Sequence, residues 1–367
     1  MGGGDEWIRS ATFMASVDNH NISESTHDYC VSHWLDPEGF DCTKRYYNQG
    51  ATTWQVLDDI NAGLSQLTYS GHGYTQGWSD GPPLDASDLG GLVNVGKLPV
   101  VQSYACYTGD FASASFGEAW LKASNGAVAF WDSSQTSYWS EDDILQRAAY
   151  DAWFGGGYHW YRGSLNEGLW GMNQAFGGGG STRSYYEQFN LLGDPALDVW
   201  TDAPGQLDVQ HAGTVAPADH GYAVDVRDPG GAAIADALVC LHLDGTLHTA
   251  AYTDGSGHAE LPLDTPPPAG QILDLTVSAH DFVPWSDGVP VSDSGAGDDD
   301  DASGDDDDDD QDDDGGGGRG GHGETMIGAG CQCRGDGGRG TGAASFPWLL
   351  AITAAAGAGR VRRRHAG

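Results

Sequence analysis

Two side chains in this sequence have the types and spacing for nucleophilic chemistry. His72 follows a short apolar run (residues 67–70) and stands between Gly71 and Gly73. Cys106 ends a second run (98–105) and leads into Tyr107, Thr108 and Gly109. A thiol beside an imidazole can pass its proton to the ring, and the thiolate is the reactive form. Glycines on both sides of a histidine let a backbone come close to a substrate and leave amides exposed. A separation of 34 residues suits a strand end, a crossover helix and the next strand end. His72 and Cys106 are therefore expected on neighbouring strands, beyond the carboxyl edge where parallel sheets carry their sites.

The elements needed to hold them are legible around these runs. Residues 11–17 read as a strand, 24–35 and 56–64 as helices, 67–70 as a buried strand, and 98–105 as another. Residues 116–123 read as a helix and 126–131 as a strand. Such alternation predicts an α/β fold: a mostly parallel sheet covered by helices. From 204 to 293 the pattern changes to short alternating runs, such as 222–226 and 237–243, with a turn signal at Asp254-Gly-Ser-Gly257. About seven short strands there suit an all-β immunoglobulin-like sandwich. Cys240 sits among apolar neighbours and reads as core.

The motifs Thr68-Tyr-Ser-Gly-His-Gly73 and Lys97-Leu-Pro-Val-Val-Gln-Ser-Tyr-Ala-Cys-Tyr-Thr-Gly-Asp-Phe111 resemble the gingipain family of cysteine peptidases, which share the caspase-like fold. The likeness continues through Gly117-Glu-Ala-Trp-Leu121, Gly126-Ala-Val-Ala129 and Phe189-Asn-Leu-Leu-Gly-Asp-Pro195, and covers roughly residues 5–290. The resemblance implies Cys106 as nucleophile and His72 as general base and acid. It implies an oxyanion hole from the amides of Gly73 and Cys106. Asp18 falls where the family places an acid that orients the histidine, although the family residue is Glu. Glu24 stands at the family's distance before the histidine for the acid of an arginine pocket, and Trp139 matches a pocket-wall tryptophan. A carboxylate under an aromatic wall selects Arg or Lys before the cut. Each also has an ordinary reading: Asp18 as a turn residue, Glu24 as an early helical acid, Trp139 as packing. The resemblance further implies an α/β subdomain and a propeptide ahead of the catalytic region, so the chain is expected to lack its N-terminal portion and signal peptide.

Composition bounds the rest. The net charge is −37 over 367 residues, which disfavours nucleic acid and a polybasic membrane mode. An acidic surface suits basic substrates or divalent cations, so structural calcium is a possible ion, with no cofactor needed for the chemistry. The six cysteines form no zinc pattern; Cys30 and Cys42 have a spacing that permits a disulfide after export. Four domains are expected: 1–203 catalytic, 204–293 immunoglobulin-like, 294–342 a disordered Asp/Gly-rich linker, and 343–367 a short hydrophobic segment with an arginine cluster. Residues 298–314 hold 13 aspartates and cannot bury enough surface to fold. Cys331-Gln-Cys333, the apolar stretch 343–359 and Arg360, Arg362, Arg363 and Arg364 resemble a MYXO-CTERM-type sorting tail. That resemblance implies export, a membrane anchor before processing by sorting machinery, and display at the cell surface or secretion.

Three functions compete at this point. The first is a cysteine endopeptidase acting on protein or peptide substrates. The second is a non-catalytic surface adhesin or binding module that keeps the peptidase fold. The third, a metal enzyme using the scattered histidines, lacks HExxH or any ligand pair at helical spacing.

Overall fold

The computed structural model describes residues 5–158, 160–243 and 247–292. The expected linker and tail, with Cys331 and Cys333, lie outside the described residues. No described helix is long and apolar enough to cross a membrane.

Strand β1 (Ser10–Ala15) opens a six-stranded sheet with β2 (Asp41–Tyr46), β3 (Gln66–Ser70), β7 (Val100–Tyr104), β8 (Ala129–Ser133) and β9 (Phe189–Gly193). Their order is β2-β1-β3-β7-β8-β9. Pairing is parallel from β2 to β8, and β9 closes the edge antiparallel to β8. A small ribbon of β4 (Gly73–Tyr74), β5 (Gly77–Trp78) and β6 (Leu84–Asp85) grows from the loop after β3.

Because side chains alternate across a strand, the sheet has two apolar faces. Met14, Leu67, Tyr69, Val101 and Phe130 face α2 (Thr53–Ala62) and α3 (Phe116–Lys122), which bring Val56, Ile60, Phe116 and Trp120. On the other face, Val100, Tyr104, Ala129 and Trp131 pack with α4 (Trp139–Tyr150) and α5 (Tyr161–Phe176). Phe13 and Ala15 pack there with α1 (His20–Cys30) and the wider turn Val31–Leu35 that extends it. This is the expected mostly parallel sheet between helical layers. Local chemistry starts the helices: Thr52 and Gln55 form a capping box on α2, and Ser115 caps α3.

Seven strands follow among the described residues. β10 (Asp208–His211), β11 (Gly221–Arg227) and β14 (His258–Pro262) form one antiparallel sheet. β12 (Leu238–Leu243), β13 (Leu247–Tyr252), β15 (Ile272–Ser278) and β16 (Trp285–Pro290) form the other, in the order β13-β12-β15-β16. Inward residues of both sheets, Tyr222, Val224, Val226, Val239, Leu241, Leu273, Leu275 and Val277, share one core. The Asp254–Gly257 turn joins β13 to β14 as expected, with the Asp254 carboxylate accepting from the amides of Ser256 and His258. At the junction, Asp281 accepts from the amides of Thr201 and Asp202, and Arg9 pairs with Asp202 at 2.6 Å.

One expectation is corrected. Cys30 and Cys42 stand as separate thiols. Cys30 faces the core from α1 and accepts from the Gln146 amide of α4, while Cys42 lies on edge strand β2. Burial pushes both thiols up, Cys42 to about 12, which keeps them uncharged.

Candidate active site

Register puts His72 and Cys106 just past the ends of neighbouring strands. Ser70 of β3 pairs with Tyr104 of β7, and each reactive residue stands two positions further on. The pairing continues past the strands, since the Gly71 amide donates to the Tyr104 carbonyl at 3.2 Å. Gly71 fits only without a side chain: a Cβ there would run into the Tyr69 ring and Ser16. The two apolar runs thus end at one place, at the carboxyl edge of adjacent parallel strands.

Asp18 reaches the same place from β1. Its Oδ2 lies 3.0 Å from His72 Nε2, and both side chains are about half exposed. Asp18 is itself held, because its amide donates to the Asp80 carboxylate at 2.8 Å and Ser16 Oγ donates to its carbonyl. With Nε2–H directed to Asp18, the ring's Nδ1 is the nitrogen left to exchange a proton. Trp139, at the start of α4, sets its ring edge-on to His72 with centroids 5.4 Å apart. Asp18, His72 and Trp139 therefore form one contact group.

The thiol has its own frame. Cys106 is partly buried, and its Sγ lies 3.7 Å from the Ser137 carbonyl. Tyr107 takes a left-handed conformation, with φ of 61°, and its amide donates to the Gln135 carbonyl. Thr108 Oγ1 bonds Ser103 Oγ of β7, which accepts from the Trp78 indole. Gly73 presses against this turn: a Cβ there would lie 2.8 Å from the Cys106 carbonyl oxygen. The Ser79 amide donates to the His72 carbonyl, so by antiparallel alternation Gly73 and Trp78 form the non-hydrogen-bonded pair. That turns the Gly73 N–H out of the ribbon.

Glu24 is differently engaged. Its Oε2 accepts from the Gln49 amide at 3.1 Å and its Oε1 lies 3.6 Å from His20 Nδ1, on the β2 side of the sheet. Among the described residues no hydrogen bond, ion pair or ring contact joins Glu24 to Cys106, His72 or Trp139. Nor does any group of three or more His, Cys, Asp or Glu there converge to hold a metal ion.

Several framing residues carry no sequence signal of their own. Asp132 lies buried against Gly109 and Gly117 with neither oxygen hydrogen-bonded, and burial pushes its carboxyl well above the usual range. Asp142 accepts hydrogen bonds from Ser137 and Tyr185, yet burial still pushes its carboxyl up to about 7. A sequence pattern shows both only as acids in a strand and a helix.

Comparison with known proteins gives the family and the fold. Residues 3–200 match the family described as peptidase family C25. Gingipain R1 of Porphyromonas gingivalis is 23% identical over 259 residues, which is 64% of this chain and 26% of that protein. Lys-gingipain of the same organism is 22% identical over 311 residues, 76% of this chain and 17% of that protein. The chain thus spans about a quarter or less of the length of these relatives. The crystal structure of the Arg-specific cysteine proteinase gingipain R has a TM-score of 0.70 at 22% identity, covering 79% of this chain and 68% of that one. The complex of the pro- and mature domains of a Porphyromonas gingivalis gingipain gives 0.68, covering 79% and 70%. With more than half of its length matched, and with its histidine and cysteine on adjacent strand ends of that fold, this chain belongs to peptidase family C25.

Proposed function

We propose that this chain is a cysteine endopeptidase in which Cys106 attacks the peptide carbonyl and His72 moves the proton. The carrying observation is the placement of His72 and Cys106 two residues beyond the paired Ser70 and Tyr104, with Asp18 3.0 Å behind the imidazole. The Cys106 proton passes to His72 Nδ1 and Sγ bonds the carbonyl carbon. The displaced electron pair rests on the carbonyl oxygen, facing the amides of Gly73 and Cys106. The intermediate collapses, the C–N bond breaks, and His72 returns its proton to the leaving amine. Water, deprotonated by His72, then releases the acid and restores the thiol. Asp18 orients the ring and offsets its positive charge.

Selectivity for Arg or Lys belongs to the same reading. Two relatives are named for those residues, and Trp139 supplies an aromatic wall beside His72. Glu24 Oε1 has no hydrogen-bond donor and lies 3.6 Å from His20 Nδ1, so a cationic side chain that displaced His20 would satisfy it. Its engagement with His20 and Gln49 is the contact a substrate would have to share. The two-sheet core of residues 208–290 supports an immunoglobulin-like domain. The order of cysteines, apolar stretch and arginines in 331–364 supports export to the cell surface or medium.

The test is a panel of fluorogenic peptides with Arg, Lys, Asn, Asp or Leu before the cut, under reducing conditions with calcium, beside Cys106→Ala. Cleavage lost in Cys106→Ala supports the peptidase. Restriction to Arg and Lys, relaxed by Glu24→Gln, supports the pocket. Equal cleavage by Cys106→Ala overturns the mechanism.

A further inference from the structure

The loop between β8 and α4, residues 134–138, touches Cys106 and Tyr107 and leads into Trp139, which meets His72. The Gln135 carbonyl takes the Tyr107 amide at 3.1 Å, and Thr136 Oγ1 meets the Tyr107 hydroxyl at 3.2 Å. The Ser137 carbonyl faces the Cys106 thiol, and Trp139, one residue past the loop, meets His72 edge-on. No regular pairing fixes residues 135–138, so something else must.

That anchor comes from behind the site. Asp142 is 5% exposed and lies one turn into α4; its Oδ2 accepts from Ser137 Oγ and its Oδ1 from Tyr185 OH, each at 2.8 Å. The same Tyr185 oxygen accepts the Tyr138 amide at 2.7 Å. Tyr185, on α6 (Gly180–Gln188), is 1% exposed. Gln188 of that helix adds its carbonyl to the Ser134 amide and its side-chain amide to the Thr136 carbonyl. The loop hangs from a buried carboxylate and a buried phenol that have no direct bond to Cys106 or His72. Two hydroxyl donors meet two carboxylate oxygens, so losing one partner leaves a buried group unsatisfied.

We propose that Asp142 and Tyr185 are positioning residues of the peptidase: through Ser137 and Tyr138 they set the loop that aligns Cys106 with His72. This rests on the peptidase reading above. The prediction is specific because Ser137 and Asp142 form one tether. Displacing a reacting group by about an ångström costs up to a hundredfold in rate. Ser137→Ala, Asp142→Asn and Tyr185→Phe should each lower kcat about tenfold with little change in KM. The Ser137→Ala/Asp142→Asn double variant should lose no more than the worse single one, since both cut the same link.

The experiment measures kcat and KM on the best peptide of the panel, the thermal midpoint, and the rate of Cys106 alkylation by iodoacetamide followed by mass spectrometry. Alkylation should change at least about threefold in Ser137→Ala and Asp142→Asn, since the carbonyl facing the thiol is released. Folded variants with wild-type kcat and alkylation overturn the proposal, as do losses that multiply in the double variant. If Asp142→Asn fails to fold, Ser137→Ala and Tyr185→Phe decide, because each leaves the carboxylate in place. If the wild type cleaves no peptide, the peptidase reading fails, and the alkylation rates still decide whether the tether holds the thiol.

Discussion

The α/β region and the two-sheet region contain the same chemical parts and differ in what they do with them. Each has a histidine beside an aspartate: His72 with Asp18 at 3.0 Å, and His258 with Asp225 at 3.1 Å. All four side chains are between 42% and 56% exposed. Each region also has a cysteine, Cys106 in one and Cys240 in the other. In the two-sheet region the pair lies across neighbouring antiparallel strands β11 and β14, at the first residue of β14, and Cys240 is buried on β12 of the other sheet. In the α/β region β1, β3 and β7 run parallel and end at one edge, so Asp18, His72 and Cys106 arrive together. A His–Asp pair is common surface chemistry. Convergence of parallel strand ends is what adds a cysteine to it.

The largest test of that contrast removes each cysteine. Cys106→Ala is expected to lower kcat/KM by about 10⁴-fold or more, as loss of a covalent nucleophile does. Cys240→Ala should leave kcat/KM within about twofold and show its cost in stability, as a truncated buried side chain does. Peptide hydrolysis and thermal melting on both variants check this. Next come the histidines: His72→Ala should lose roughly 10²–10⁴-fold in kcat, the range for a positioned acid–base group, and His258→Ala nothing measurable. Comparable losses from the two would break the comparison.

How much of this was legible follows from the same geometry. Buried parallel strands read as unbroken apolar runs, so residues 67–70 and 98–105 announced both strands, and the glycines after them announced where they stop. The seven later strands showed their alternation and their Asp254 turn. The tether did not show, because Asp142 and Tyr185 look like ordinary helical residues until α4 and α6 pack. The spacing of Cys30 and Cys42 allowed a bond that their places on α1 and β2 do not make. The resemblance put Glu24 at a pocket; that the chain reversal after β2 brings Gln49 to the same carboxylate is a contact no local pattern shows. Local pattern reports strands and their ends; side chains meeting from distant helices depend on packing.

A third test uses pH within the α/β region. His27 is buried, with Nε2 donating to the Met14 carbonyl and Nδ1 accepting from the Gln146 amide, so both nitrogens are satisfied only in the neutral ring. Burial lowers its pKa to about 4. Between pH 6.5 and 4 the unfolded chain therefore binds a proton that the folded chain refuses, and this group's contribution to stability falls on acidification. The size is about 3 kcal/mol across that window. Asp142, pushed up to about 7, acts oppositely: the folded chain holds the extra proton, so its term weakens stability as pH rises from about 4 to 7. His27→Gln isolates the first term. Its stability relative to wild type should rise by about 3 kcal/mol from pH 7 to pH 4, measured by urea unfolding at each pH. A difference that stays flat would show that His27 is not held neutral.

The smallest effect separates two glycines. A Cβ on Gly73 would lie 2.8 Å from Ala105 Cβ, 2.8 Å from the Cys106 carbonyl oxygen and 3.0 Å from Thr108 Cγ2. Ala105 and Thr108 are buried, and the carbonyl is backbone, so the Cys106 turn itself must move. Overpacking of this kind costs about 1–3 kcal/mol. A Cβ on Gly213, between β10 and Val215, would meet nothing within 4 Å, and Gly213→Ala should shift stability by less than about 0.5 kcal/mol. Because the atom displaced at Gly73 belongs to Cys106, the proposed nucleophile, Gly73→Ala should lower kcat as well as the melting midpoint, while Gly213→Ala leaves both alone. If Gly73→Ala lowers the midpoint and spares kcat, the turn absorbs the methyl without moving the thiol, and strand convergence alone sets the nucleophile's position.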